Sequence, residues 1–144
     1  MLSDFIPEHE QKRIAEAITE AERHTSGEIC VHVTPKCRGD AVRRARKAFN
    51  RLGLYATQRR NAVLIFVAYQ HRKVAVIGDT GIDRKVSQDF WNDTVGAMAN
   101  DFADGHIVDG ICNAVAAVGD KLAEIFPAER HDNNQLSNEV TYED

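Results

Sequence analysis

Residues 60 to 81, RNAVLIFVAYQHRKVAVIGDTG, decide the fold of this chain. The run from Ala62 to Ala68 is continuously apolar and has the length of a strand, which indicates a strand covered on both faces. Residues 73–77 form a second apolar run after a short polar turn. Because the connection is so short, we expect the two strands to pair as an antiparallel hairpin.

A third strand precedes the hairpin. Residues 28–34 alternate between apolar and polar side chains and are rich in β-branched residues, which is typical of a strand. Helical spacing of apolar residues predicts helices over residues 7–24 and 40–52. Because a helix connects the first strand to the hairpin, we expect the first two strands to run parallel with a right-handed crossover.

Two more helices are predicted after the hairpin. Asp83 is a candidate N-cap for the first of them, and Asp104 for the second. The second helix carries the clearest apolar stripe in the chain, with positions spaced by three and four from Val108 to Ile125. Gly110 and Gly119 lie within it, and we expect them to permit close packing against the sheet.

The order α-β-α-β-β-α-α predicts an α/β fold, specifically a Rossmann-like three-layer α/β/α sandwich with a small mixed sheet. A length of 144 residues fits one domain. We place this domain at residues 1–127 and interpret residues 128–144 as a polar C-terminal tail. Leu136 and Val140 are the tail residues that we expect to dock on the domain.

Composition and the absence of known motifs argue against several classes of protein. No window approaches the roughly 20 apolar residues of a membrane span, and the N-terminus does not resemble a signal peptide, so we expect a cytoplasmic protein without a membrane span. The three cysteines lack CxxC spacing, which argues against a disulfide framework and a structural zinc site. P-loop, GxGxxG, GxSxG and HExxH motifs are absent from the sequence.

Charge is distributed unevenly along the chain. Residues 1–78 carry a balance of +6 and residues 79–144 a balance of −10, which together give the net charge of −4. We interpret this asymmetry as two parts of one fold that neutralise each other in space. The arginine-rich helix over residues 40–52 offers an alternative role in nucleic-acid binding. Since no aromatic residues interleave with its arginines, we expect no nucleic-acid partner.

Strand directions determine which polar residues can meet. The starts of the two parallel strands share one side of the sheet with the end of the third strand, and we call this side the first edge. Its polar residues are Glu28, Arg59, Arg60, Asn61, Asp79, Thr80 and Asp83.

Oxygen donors at the first edge suit a hard cation. The candidate ligands for Ca²⁺ or Mg²⁺ are Asp79, Glu28, Asn61 and Asp83. Arg59, Arg60 and Thr80 are candidates for holding an anion beside the cation. In the structural alternative, Asp79 forms a turn, Asp83 caps a helix and Glu28 pairs with an arginine.

The opposite side of the sheet, the second edge, collects residues 34–40, residues 69–72 and the loop 101–106. Its acidic residues Asp40, Asp101 and Asp104 form a second set of candidate metal ligands. The structural alternative for Asp104 is a helix cap.

Several stretches together resemble the TPM domain, a family named for thylakoid, photosystem-repair and receptor-modulator proteins. They are residues 25–28, 48–54, 61–65, 77–81 and 98–105. The resemblance covers about residues 5–127. It implies a Rossmann-like α/β/α sandwich and divalent-cation binding in loops at a sheet edge. It also implies a proposed acid-phosphatase activity in some members, whereas others act as assembly or modulator domains.

The chain departs from the family pattern at the first edge. Many members have an acidic residue before the Asn-Gly that opens the second strand, where this chain reads Arg60-Asn61-Ala62. Many also read Gly-Tyr-Gly after the third strand, where this chain has Asp79 and Thr80 between Gly78 and Gly81. The arginine removes a possible metal ligand, and Asp79 can supply a carboxylate beside it.

The resemblance leads to two functional expectations. In the first, this is a soluble TPM-domain protein that binds Ca²⁺ or Mg²⁺ and has phosphatase-like activity, since a cation at Asp79 would polarise a phosphoryl oxygen and orient water. In the second, the domain is non-catalytic and the cation orders loops for a protein partner. The expected partners are accordingly a phosphorylated small molecule or a protein, and the expected state is a monomer.

Overall fold

A computed structural model of the chain describes residues 1–129 and 137–143. Their helices and strands, in chain order, are α1 Leu2–Phe5, α2 Glu8–Glu22, β1 Glu28–Thr34, α3 Ala41–Arg51, β2 Ala62–Ala68, β3 Lys73–Gly78, α4 Thr80–Asp83, α5 Gln88–Ala103, α6 Ile107–Ile125 and β4 Thr141–Tyr142.

The four strands form one mixed sheet in the order β3-β2-β1-β4. β1 and β2 are parallel, with Glu28 opposite Ala62 at their starts. β3 runs antiparallel to β2, and Gly78 lies opposite Val63. The parallel pair and the antiparallel hairpin are therefore confirmed, and the two sheet edges follow from them.

Helices cover both faces of the sheet, as expected for a three-layer α/β fold. On one face, Val31, Ile65 and Val76 pack with residues of α2, α5 and α6 in the larger core. On the other face, Leu64 and Phe66 pack with residues of α3 in a smaller core. Every residue of β2 is buried, which explains its continuous apolar sequence.

The start of the helix after the hairpin differs from the prediction. Asp83 ends the short helix α4 and does not cap α5. The N-cap of α5 is Ser87, whose hydroxyl accepts the backbone N–H of Phe90 at 3.4 Å. The sequence Asp79–Asp83 forms a separate turn of helix because Asp79 supplies its own N-cap.

The predicted cap of α6 is also wrong. Asp104 is the C-cap of α5, and the N-cap position of α6 is occupied by His106 without a side-chain hydrogen bond. Gly105 turns the chain between the two helices with a φ of 80°. Since a positive φ favours glycine, the turn is placed at Gly105 and leaves Asp104 on the preceding helix.

The glycines of α6 do permit close packing, but against helices and not against the sheet. A Cβ at Gly119 would lie 2.7 Å from the Cβ of Ala21 in α2, and one at Gly110 would lie 2.9 Å from the Cβ of Asp101 in α5. The small residues therefore set the spacing of the helical layer.

The C-terminal segment contributes a strand that the sequence did not predict. β4 pairs with β1 in parallel, with His32 opposite Thr141 and Val33 opposite Tyr142. Val140 packs against the larger core, as expected. Leu136 lies outside the described residues.

Within residues 1–129 and 137–143, no helix combines the length and the apolar character that crossing a membrane requires.

Candidate functional site at the first sheet edge

Asp79 is the central residue of the first edge. It follows β3 directly, and its backbone N–H donates to the carbonyl of Ala62 at the start of β2, at 2.9 Å. Its side chain is only 5% exposed. One carboxylate oxygen accepts the backbone N–H of Thr80 at 2.8 Å, which caps α4.

Arg60 binds the same carboxylate with two hydrogen bonds. Its Nε donates to one oxygen of Asp79 at 2.7 Å, and its Nη2 donates to the other at 2.9 Å. This fork geometry is the strong form of an arginine–carboxylate pair. The hydrogen bond to Asp79 and the charge of Asp79 both raise the pKa of Arg60, so the guanidinium remains charged.

The backbone at Arg60 supports this pair. Arg60 has a φ of 52°, in the left-handed region that non-glycine residues rarely adopt. Its carbonyl accepts the N–H of Gly81 at 2.9 Å. The segment before β2 is thus held directly against the start of α4.

Asn61 and Glu28 lie beside this pair, at the aligned starts of β2 and β1. Asn61 is 2% exposed, and its amide nitrogen donates to the Ser26 hydroxyl at 3.2 Å. The backbone carbonyl of Asn61 accepts the backbone N–H of Glu28 at 3.3 Å. The Asn61 backbone N–H donates to the hydroxyl of Thr57 at 3.2 Å. Asn61 therefore joins three segments.

Glu28 is 4% exposed and lies beside a second carboxyl group, that of Glu22 at the end of α2. A carboxylate oxygen of Glu22 accepts the N–H of Ile29 at 2.8 Å. Burial raises the pKa of Glu22 to about 8, and the neighbouring Glu28 contributes to the rise through its charge and a hydrogen bond. Glu22 was not predicted from the sequence, because an acidic residue in the last turn of an amphipathic helix carries no signal of burial.

The remaining residues of the first edge are exposed. Asp83 and Thr80 face solvent at opposite ends of α4. Arg59 forms an ion pair with Glu129 after α6. The structure thus brings Arg60, Asn61, Asp79 and Glu28 to one edge, as the strand directions predicted.

At the second edge, Asp40 lies on a different element from Asp101 and Asp104, which both lie at the end of α5. Asp40 is the N-cap of α3 and accepts the N–H of Val42 at 3.3 Å. Asp101 lies in α5, and its carbonyl accepts the N–H of His106 at 2.8 Å. A pocket of about 400 Å³ opens at this edge, lined by Tyr69, Arg72 and Phe102 among others, and Asp40, Asp101 and Asp104 are not part of its lining.

In the part of the chain that the structure describes, no group of three or more His, Cys, Asp or Glu residues is placed to hold a metal ion. At the first edge, Arg60 and the Thr80 N–H donate three hydrogen bonds to the Asp79 carboxylate, which can accept about four. A cation at this carboxylate would therefore compete with the guanidinium.

Comparison with known proteins places the chain in a family. The TPM domain matches residues 2–121. The chain is similar to the BA42 protein of the psychrophilic bacterium Bizionia argentinensis, whose NMR structure superposes with a TM-score of 0.87 at 36% identity, covering 94% of this chain and 93% of that one.

A more distant likeness concerns the fold alone. The N-terminal domain of the cg2496 protein from Corynebacterium glutamicum superposes with a TM-score of 0.65 at 15% identity, covering 89% of this chain and 83% of that one. A search of curated proteins finds no match. The family match spans most of the chain and includes the Arg60–Asp79 edge, so the chain belongs to the TPM domain family.

Proposed function

We propose that this TPM domain is a non-catalytic binding domain in which the Arg60 guanidinium occupies the place beside Asp79 that a divalent cation would otherwise take. The proposal rests on the bidentate pair of hydrogen bonds from Arg60 to the Asp79 carboxylate. The Asp79 side chain is 5% exposed and also caps α4. A carboxylate engaged in this way is neutralised and fixed, so it is a poor metal ligand and a poor general base.

The Arg60 guanidinium can play the structural role of a bound metal ion. Arg60 and Asp79 connect the segment before β2 to the segment after β3, which is the role expected for a loop-ordering metal ion. Since a guanidinium is permanently charged, this connection does not depend on the concentration of a free ion.

The proposal is tested by thermal unfolding in the presence of Ca²⁺, Mg²⁺ or EDTA. The wild-type melting temperature should not respond to millimolar cation. Arg60→Ala should melt at a lower temperature and should gain stability from added cation, because a ligand that binds only the folded state raises its stability by mass action. The gain should disappear in the double variant Arg60→Ala/Asp79→Asn.

Arg59→Ala is the matched control, because Arg59 is the neighbouring exposed arginine and pairs with Glu129 instead of Asp79. It should melt near the wild type and should not respond to cation. Stabilisation of the wild type by millimolar Ca²⁺ or Mg²⁺ would contradict the proposal.

A second candidate function is binding of Ca²⁺ or Mg²⁺ at the first edge with phosphatase-like activity. What favours it is the gathering of Glu28, Asn61 and Asp79 at one edge, with the exposed carboxylate of Asp83 nearby at the end of α4. The Arg60 side chain is 48% exposed, so it has room to leave Asp79 and to hold an anion.

Hydrolysis of a chromogenic phosphomonoester with added Mg²⁺ or Ca²⁺ separates the two candidates. The binding-domain proposal predicts the same background rate for the wild type and for Asp79→Asn. A rate that Asp79→Asn abolishes, while the variant still folds, would establish the phosphatase instead.

A further inference from the structure

A concave basic pocket of about 250 Å³ opens beside the first turns of α3, at the second edge. The residues that line it are Arg38, Gly39, Asp40, Arg43, Arg44 and Lys47. Four of these six residues carry a positive charge. This basic pocket lies at the end of β1 opposite to Asp79, so an inference about it does not depend on the function proposed for the first edge.

Most of this positive charge is uncompensated. Among the described residues, no ion pair or hydrogen bond engages the side chains of Arg38, Arg43 or Lys47, which are exposed. The acidic lining residue Asp40 accepts the N–H of Val42 at the positive end of α3. Asp40 keeps its negative charge in this role, so the lining as a whole holds four cations and one anion.

Arg44 is the half-buried cation of the pocket. Its Nη2 lies 3.2 Å from a carboxylate oxygen of Glu143, and its guanidinium lies 5.9 Å from the centroid of the Phe66 ring. Arg44 is therefore held in place by these two contacts, and the three exposed cations are the ones available to a ligand.

The backbone of the pocket is also fixed. Gly39 turns the chain with a φ of 87°, and its carbonyl accepts the Lys73 ammonium at 2.6 Å. This hydrogen bond ties the loop that carries Arg38 to β3.

We propose that this basic pocket binds the phosphate group of a small phosphorylated molecule. Clustered arginine and lysine side chains are the donors that proteins use to hold a phosphate dianion. The pocket is concave, which suits a compact ligand. No aromatic side chain lines it, so it lacks the stacking platform expected of a surface for single-stranded nucleic acid.

The test is an NMR titration of the full chain at constant ionic strength, followed through the backbone amides. Inorganic phosphate is the first probe, a phosphomonoester the second and a single-stranded oligonucleotide the third, with chloride as the blank. We expect saturable shifts confined to residues 38–47 for the first two probes. The double variant Arg43→Gln/Lys47→Gln should weaken binding by about tenfold or more, since each charged hydrogen bond contributes substantially.

Arg46→Gln is the matched control, because Arg46 is exposed on the same helix and does not line the pocket. It should bind like the wild type, and the spectra of all variants report whether they fold. Shifts no larger than those with chloride, or an equal loss in Arg46→Gln, would overturn the proposal. So would an oligonucleotide that binds more tightly than the phosphomonoester, which would identify a nucleic-acid surface. None of these outcomes affects the cation test at Asp79.

Discussion

Gly81 occupies a place at the first edge where no side chain fits. A Cβ at this position would lie 2.7 Å from the carbonyl oxygen of Arg60 and closer still to that of Arg59. These are backbone atoms, and the Arg60 carbonyl is held by its hydrogen bond to Gly81 itself. The glycine is therefore required by the close approach of two chain segments.

We predict that Gly81→Ala destabilises the protein by about 1–3 kcal/mol, as expected for overpacking against atoms that cannot move. Gly96→Ala is the control, since Gly96 lies inside α5 with open space around it. Alanine there should stabilise the helix by about 0.5–1 kcal/mol. Urea unfolding of both variants gives the comparison, and similar free energies of unfolding would refute the prediction.

Glu22 makes stability depend on pH in a direction opposite to that of most carboxylates. Its pKa is raised from 4.5 to about 8 in the folded protein, mainly by burial and secondarily by Glu28. The folded state therefore retains a proton that the unfolded state releases between these pH values. The contribution of Glu22 to the free energy of unfolding is therefore fully present below pH 4.5 and is lost as pH rises toward about 8.

Glu22→Gln should remove this loss, because glutamine resembles the protonated acid at every pH. We predict that the free energy of unfolding of the variant exceeds that of the wild type by a margin that grows as pH rises between those two pKa values. The control is Glu20→Gln, an exposed position of α2 that pairs with Arg23 and should change stability by less than about 1 kcal/mol. Parallel stability curves for Glu22→Gln and the wild type would contradict the assignment.

At the scale of elements, β4 is held by polar contacts more than by its two residues of pairing. The Thr141 hydroxyl and His32 Nδ1 are 2.7 Å apart, and Glu143 pairs with Arg44 and Arg51. Burial lowers the pKa of His32. Burial alone would raise the pKa of Glu143, but Arg51 and Arg44 outweigh it and the pKa is lowered.

These shifts give the pH window of the β4 contacts. Because burial favours the neutral form of His32, the contribution of His32 to the free energy of unfolding is lost as pH falls below the ordinary histidine pKa of about 6.5. The contribution of Glu143 is lost only at lower pH, below the ordinary carboxyl pKa of about 4.3.

Thr141→Val preserves the shape of the side chain and removes the hydroxyl. Because His32 is 2% exposed, its Nδ1 would be left buried without this partner. We predict a loss of about 1–3 kcal/mol in the free energy of unfolding. Thr141→Ser should recover most of it, since serine restores the hydroxyl. A stability unchanged in Thr141→Val would mean that β4 does not contribute through this contact.

At the scale of the whole molecule, ion pairs connect the basic and acidic parts of the chain. They include Arg13 with Asp109, Arg60 with Asp79 and Arg59 with Glu129. The interpretation that the two parts neutralise each other is supported by these contacts. It is incomplete at the basic pocket, where Arg38, Arg43 and Lys47 lack such partners among the described residues, whereas Arg44 pairs with Glu143.

The burial pattern predicts a hierarchy of local stability. β2 is fully buried between β1 and β3, whereas β4 pairs with β1 over two residues. Amide hydrogen exchange should therefore protect residues 63–67 up to the free energy of global unfolding. The amides of β4 should exchange through local opening at a lower free energy. Equal protection of both strands would show that β4 opens only with the whole domain.

The sequence by itself determined strands β1, β2 and β3 and the residues at the first edge of the sheet. The apolar run of β2 and the short turn to β3 specify a buried hairpin, and the helix between β1 and β2 specifies a parallel pair. From these directions Glu28, Arg60, Asn61 and Asp79 had to meet, because the strand ends that carry them share an edge.

Only the tertiary structure decided what these residues do to each other. Sequence spacing offered Asp79 as a metal ligand or a turn residue, and the choice depended on where the Arg60 side chain would point. The capping roles of Asp83 and Asp104 were wrong because Asp79, Ser87 and Gly105 determined the turns instead. β4, Glu22 and the basic pocket depend on contacts between residues far apart in the chain, and local pattern contains no information about such contacts.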